Sequence, residues 1–236
     1  MTTAPEGSGR TVLVTGGSGS SGIAVARALL ATGARVVLVG SDPGRIATAA
    51  AEAGVGATHL VCDLADAADV QRLHKEVAAT AGPVDGVIHL VGGWRGATGI
   101  ADQTDADWDF LSTAAITTLR NVSREFYAEL ETAPAGRFAM VSSTAVEAPA
   151  AAMANYVAAK AAAEAWTVAM AEGFTRSGSP AAAVVLVVKS LVDSEMRARQ
   201  PQRRFPGATD VDDLGAAVAG LFSTPAAEIN GHRLKV

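Results

Sequence analysis

Residues 11–22 read T-V-L-V-T-G-G-S-G-S-S-G. A short β-branched run predicts a strand, and the glycines at 16, 17, 19 and 22 end it in a turn. The sequence then becomes I-A-V-A-R-A-L-L-A-T over residues 23–32, which is rich in strong helix formers. Strand, glycine turn and helix in that order form the context in which a glycine pattern predicts a dinucleotide site. Bare glycine backbone lets a pyrophosphate come close, and amide N–H groups at the helix N-terminus meet its charge. The candidate residues are Gly16, Ser18, Gly19, Ser20, Ser21 and Gly22. The plainer alternative is an ordinary tight turn from strand to helix.

Strand and helix signals alternate along the rest of the chain. Strands are predicted near 12–15, 35–39, 57–62, 84–91, 136–142, 181–188 and 232–236. Helices are predicted near 21–32, 44–53, 66–81, 105–131, 154–176 and 210–222. Continuous apolar runs such as V-V-L-V and A-V-V-L-V-V fit strands covered on both faces. The expected fold is therefore α/β: a Rossmann-like, doubly wound parallel sheet of seven strands with helices on both faces. One domain is expected over 11–236, preceded by a mobile tail at 1–10.

Composition narrows the function classes. The 236 residues are 49% hydrophobic and 18% charged, with a formal net charge of −5. That balance disfavours nucleic acid or an anionic membrane as a partner. No apolar run is long enough to span a bilayer, and the N-terminus lacks the apolar core of a signal peptide, so a cytoplasmic protein is expected. Cys62 is the single cysteine, which excludes an internal disulfide; it reads as a buried small residue in a strand.

A second stretch carries the chemistry. Residues 142–160 read S-S-T-A-V-E-A-P-A-A-A-M-A-N-Y-V-A-A-K. Tyr156 and Lys160 lie four apart on a predicted helix, hence on one face. An ammonium beside the phenol is expected to lower the tyrosine pKa and make it a proton donor and acceptor. Ser143 would supply a hydrogen bond to the same oxygen. A solvated helix face is the bland reading of the same spacing.

Together the glycine turn, Ser143 and Tyr156-x-x-x-Lys160 resemble the short-chain dehydrogenase/reductase family over nearly the whole chain, Val12 to Val236. The resemblance implies a sheet order of 3-2-1-4-5-6-7 and a carbonyl–alcohol oxidoreductase using NAD(P)(H). It implies Ser143, Tyr156 and Lys160 as catalytic residues, with Lys160 also bonding the nicotinamide ribose. The glycine turn fits the family pattern T-G-x-x-x-G-x-G at Gly16 and Gly22, and T-G-x-x-G-x-x-G at Gly16, Gly19 and Gly22. At the end of the second strand, where NAD-dependent relatives carry an acid, this chain has Gly40. Ser41 and Arg45 follow and could receive a 2′-phosphate, so NADP(H) is favoured over NAD(H), although Asp42 weakens that case. Asp63 with Leu64 would meet the adenine, or Asp63 would cap a helix, a role equally open to Asp66. Gly92 would let backbone pass the cofactor, and Val192 and Ser194 would meet the carboxamide.

Three features, at Leu90, Ala115 and Lys189, depart from the family pattern. His89-Leu90-Val91-Gly92 replaces the usual N-N-A-G, and His89 reads as a core histidine. Ala115 stands where relatives place an asparagine that holds a proton-relay water. Lys189 and Ser190 replace Pro-Gly, with Lys189 expected at solvent. The substrate loop at 197–208 is short, leaving Trp94, Met153, Met196 and Phe205 to set substrate identity. These departures keep a rival open: a cofactor-binding protein without redox turnover, acting as sensor, scaffold or lyase. The expected partner is a small carbonyl or alcohol. Alanine-rich helices at 105–131 and 154–176, paired in relatives, imply a homotetramer or homodimer.

Overall fold

The computed structural model describes residues 9–236, so most of the tail expected at 1–10 lies outside the described residues. Seven strands form one parallel sheet: β1 (Thr11–Thr15), β2 (Arg35–Gly40), β3 (Ala57–Val61), β4 (Gly86–His89), β5 (Arg137–Ser143), β6 (Ala182–Val188) and, last in the chain, β9 (Arg233–Lys235). Their order is β3-β2-β1-β4-β5-β6-β9, as the family resemblance implied. Alternate residues of a strand face opposite sides of a sheet, so each side has its own core. Leu13, Val37 and Phe138 face one side, where they pack with Leu73, Phe126 and Phe174. Val12, Val14, Leu38 and Val184 face the other, with Leu29, Ile46 and Leu214. Phe126, Phe138 and Phe174 are fully buried. Each contributes about 2–3 kcal/mol of apolar burial.

The first side is covered by α3 (Ala67–Thr80), α5 (Thr118–Thr132) and α6 (Ala154–Ser177). The second is covered by α1 (Ser20–Ala31), α2 (Pro43–Ala53) and α8 (Val211–Gly220). Local chemistry sets several boundaries. Asp42, Asp66 and Asp210 cap α2, α3 and α8 by accepting backbone N–H groups of Arg45, Ala68 and Asp212. Gly178 ends α6 in the left-handed conformation at φ 71°.

The expected continuous helix at 105–131 is instead three segments. α4 (Asp105–Ser112) leads into one π-helical turn, Thr113–Thr117, and then α5. The turn reads T-A-A-I-T and holds no glycine or proline, so no breaker marks it in the sequence. Thr118 Oγ1 bonds the Ala114 carbonyl at 2.7 Å across this turn. Four short elements also escape sequence reading. β7 (Leu191–Val192) pairs in parallel with β8 (Thr209–Asp210), closing the base of the substrate loop. α7 (Ser194–Arg199) begins that loop, and α9 (Ala226–Ile229) precedes β9. Among the described residues, no helix is long and apolar enough to cross a membrane.

Candidate active site

The glycine turn leaves β1 at the C-terminal edge of the sheet, beside the start of α1. Gly16 has φ +74°, and a Cβ there would stand 2.8 Å from the Leu90 carbonyl carbon and the Val91 nitrogen. Only glycine fits both the backbone angle and that approach. Gly19 has nothing within 4 Å of a built Cβ, so its backbone borders open space. No side chain caps the N-terminus of α1, and its first turn carries no acid. An anion therefore meets open amide groups and the positive end of a helix. These features fit a dinucleotide pyrophosphate.

A cleft of about 370 Å³ runs from this turn along the ends of β2 and β3, lined among others by Ser18, Gly19, Ser41, Arg45, Asp63 and Leu64. Gly40 closes β2 here, and a Cβ on it would collide with Ser18 Oγ. A carboxylate at position 40 would therefore displace Ser18. Asp42 accepts the Arg45 N–H at 2.8 Å as the α2 cap, while the Arg45 side chain stays exposed on the cleft. Asp63 does not cap α3, since Asp66 does. It accepts the Ala65 N–H at 3.0 Å and remains exposed to the cleft. Cys62 beside it is buried, and burial, then the charge of Asp69, pushes its thiol up to about 12. It is no thiolate nucleophile.

A second cavity, of about 360 Å³, shares Leu90 and Gly92 with the first. Tyr156, Lys160, Ser21, Ser142, Trp94 and Lys189 line it. The four-residue spacing on α6 does bring Tyr156 and Lys160 to one cavity. The expected effect of one on the other is not what the structure contains. Lys160 is 7% exposed, and its Nζ donates to the Val141 carbonyl at 2.9 Å. Burial pushes its ammonium down to about 8, opposed by the charge of Glu164. Burial likewise raises the Tyr156 pKa above its ordinary value, opposed by a hydrogen bond with Ser143. The phenol is thus held protonated, because desolvation outweighs its polar neighbours.

Ser143 is buried at the end of β5, and its Oγ accepts the Ala145 N–H at 3.1 Å. It adjoins the Tyr156 phenol, and its neighbour Ser142 lines the cavity. Val192 is buried in β7. Ser194 lines a neighbouring cleft together with Ser20 and Asp193. The Asp193 carboxyl is held below its usual range, first by the Met196 N–H and then by Ser20 nearby. Of the side chains expected to set substrate identity, Trp94 borders the catalytic cavity, whereas Met153, Met196 and Phe205 do not. Lys189 is exposed, as expected, yet it also borders that cavity, and its Nζ donates to the Pro206 carbonyl at 2.9 Å.

His89 is a satisfied core histidine. Its Nδ1 lies 2.8 Å from Thr15 Oγ1 and its Nε2 3.2 Å from Thr118 Oγ1. Burial, then the charge of Lys160, pushes it down to about 3, so it stays neutral near pH 7. Ala115, inside the π-helical turn, is buried with Leu111 and Ala159 against Tyr156. Sequence reasoning passed over Glu164 and Arg233. The available signal was the spacing of Glu164, one helical turn beyond Lys160.

A profile of the short chain dehydrogenase family matches residues 10–204. This chain belongs to the short chain dehydrogenase family. Its curated relatives include the (5R,7aS)-5-hydroxy-7a-methyl-1-oxo-2,3,5,6,7,7a-hexahydro-1H-indene-carboxyl-CoA reductase of Mycobacterium tuberculosis, 34% identical over 133 residues. That match spans 54% of this chain and 50% of the relative's own length. The acetoacetyl-CoA reductase of Allochromatium vinosum is 27% identical over 243 residues, 96% of each chain. Among solved structures, a gluconate 5-dehydrogenase from Burkholderia cenocepacia, in complex with NADP and tartrate, superposes with a TM-score of 0.82. It is 26% identical, with 97% of this chain and 94% of that one covered. Membership of the short chain dehydrogenase family supports NAD(P)-dependent oxidoreduction as the chemistry of the fold.

Proposed function

We propose that this short chain dehydrogenase is an NADP(H)-linked oxidoreductase that interconverts a ketone or aldehyde with the corresponding alcohol. One observation carries the reading: Tyr156 and Lys160 line a cavity that shares Leu90 and Gly92 with the glycine-turn cleft. Bound in that cleft, the reduced cofactor supplies hydride. Tyr156 then gives its proton to the carbonyl oxygen, and takes one back in the reverse direction. A phenol kept protonated by burial suits the reducing direction near neutral pH. Ser143 hydrogen-bonds the phenol and steadies it as charge develops. The Lys160 ammonium lines the same cavity, so a phenolate forming there would gain from its positive charge. The carbonyl-reducing names of the curated relatives support the same direction.

The choice of NADP(H) rests on the adenosine end of the cleft. Gly40 carries no carboxylate and has no room for one beside Ser18. Arg45 and Ser41 stand next to it. Fluorescence titration tests this: NADPH binds more tightly than NADH. Arg45→Ala weakens NADPH by about tenfold, the scale of one charge-assisted contact, and leaves NADH unchanged. Equal losses for both, or tighter NADH in the parent, would refute the preference.

Ala115 favours a second reading, a cofactor-binding protein without turnover, because no polar side chain stands there to resupply protons to Tyr156. For assembly, we infer a homotetramer or homodimer built through α4 and α6. Trp108 and Phe110 on α4 and Val168 on α6 are 37%, 39% and 44% exposed, more apolar surface than two helices of a lone subunit need show. Light scattering in solution should give two or four subunits; one subunit would end this inference.

A further inference from the structure

Behind Lys160 lies a set of charged side chains that the proton-transfer reading leaves without a role. Glu164 follows Lys160 by one helical turn on α6 and is 8% exposed. A carboxylate so buried persists only when it is paired and hydrogen-bonded. The Ser142 hydroxyl, next to Ser143 on β5, donates to its Oε1. Arg233, reaching in from β9, sets Nε 2.8 Å from Oε2 and Nη2 3.4 Å from Oε1. The Nε approach is an ion-pair contact without an aligned hydrogen bond. Arg233 also pairs with Glu147, whose second oxygen lies 3.6 Å from Lys235 Nζ. The charges therefore alternate: Lys160, Glu164, Arg233, Glu147, Lys235. Arg233 and Lys235 lie beyond residue 204, where the family match ends.

We propose that Glu164 is a positioning residue: clamped by Arg233 of the C-terminal strand, its carboxylate is the counter-charge that keeps Lys160 an ammonium at the Tyr156 cavity. This rests on the reading of Lys160 as the partner of Tyr156. The other titratable groups around Lys160 are Tyr156 one turn earlier, the neutral His89 of β4, and Lys189 across the cavity. None of them supplies negative charge near neutral pH. Without Glu164, burial alone would act on the amine, and burial favours the neutral form. Glu164 is the carboxylate that opposes it. Arg233 acts on the same carboxylate from the other side: as its ion-pair partner it takes up part of the Glu164 field. Removing either partner therefore shifts Lys160 in opposite directions. A pair that merely staples β9 to α6 would shift it in neither.

The chain has four lysines, so ¹³Cε-lysine NMR resolves Lys160, assigned by its loss in Lys160→Arg. In the intact chain its resonance titrates near pH 8. In Glu164→Gln the midpoint moves down by about one unit, the effect of removing one close opposite charge. In Arg233→Gln it moves up, and in Glu164→Asp it returns toward the parent value. The alkaline limb of kcat/KM follows: Glu164→Gln loses about tenfold at pH 9 and little at pH 6. An unchanged Lys160 midpoint in folded Glu164→Gln overturns the proposal. Should that variant not fold, Arg233→Gln decides instead: a Lys160 midpoint that does not rise overturns the proposal. A chain with no turnover at all would sink the oxidoreductase reading, while the NMR titration would still decide whether Glu164 sets the charge of Lys160.

Discussion

Tyr156→Phe lowers kcat/KM for carbonyl reduction by about a thousandfold, within the range for loss of a general acid, and leaves NADPH affinity within about twofold. The substitution is structurally quiet. The ring keeps its packing against Ala115 and Ala159. Ser143 loses the phenol as a partner but keeps the Ala145 N–H, so its buried oxygen stays hydrogen-bonded. The glycine turn, Arg45 and the open N-terminus of α1 are untouched. What disappears is the proton that the site can deliver. The expected signature is thus a fall in kcat with unchanged fluorescence titration by NADPH. Turnover within tenfold of the parent would mean that the proton comes from elsewhere.

Lys160→Met abolishes most activity and, at pH 7 without cofactor, stabilises the fold by about 2 kcal/mol. The sign follows from burial. The Lys160 amine titrates at 10.5 when unfolded and at about 8 when folded. Below pH 8 both states carry the proton, and the folded state bears the whole cost of a buried ammonium, about 3 kcal/mol. Between pH 8 and 10.5 the unfolded chain binds more protons than the folded one, so parent stability rises with pH. Above 10.5 the amine is neutral in both states and the penalty is gone. Methionine fills similar volume with no charge to desolvate, but it leaves the Val141 carbonyl unpartnered, which costs about 1 kcal/mol. Glu164 keeps Arg233 and Ser142. Chemical denaturation at pH 7 and again near pH 10.5 reads the difference. The variant's advantage at pH 7 should vanish at the higher pH. A variant less stable than the parent at pH 7, or a gap indifferent to pH, would show that Lys160 is not held under strain.

Much of this was visible in the residues because the responsible physics is local. Continuous apolar runs such as those of β2 and β6 mark strands covered on both faces, and the glycines at 16 and 22 mark a turn with no room for side chains. The helical spacing of Tyr156 and Lys160 placed them on one face, and they share one cavity. Spacing, however, says nothing of depth. Helical spacing alone predicts a tyrosine pKa lowered by the lysine charge, whereas in the fold burial raises it and the ammonium turns to the Val141 carbonyl. The break at Thr113–Thr117 escaped because a π-helical turn leaves alanine and threonine equally content. Two-residue strands such as β7 and β8 carry too little pattern to stand out. Glu164 and Arg233 are 69 positions apart, and only the placement of β9 beside β6 makes them partners.

The measurement that bears most directly on the whole account uses NADPH deuterated at C4 of the nicotinamide, a panel of ketones and aldehydes, and mass analysis of the products. At least one carbonyl is expected to yield an alcohol carrying a single deuterium on the former carbonyl carbon, with the label lost in Tyr156→Phe. Tight NADPH binding with no labelled product anywhere in the panel would contradict it and leave the cofactor-binding reading in its place.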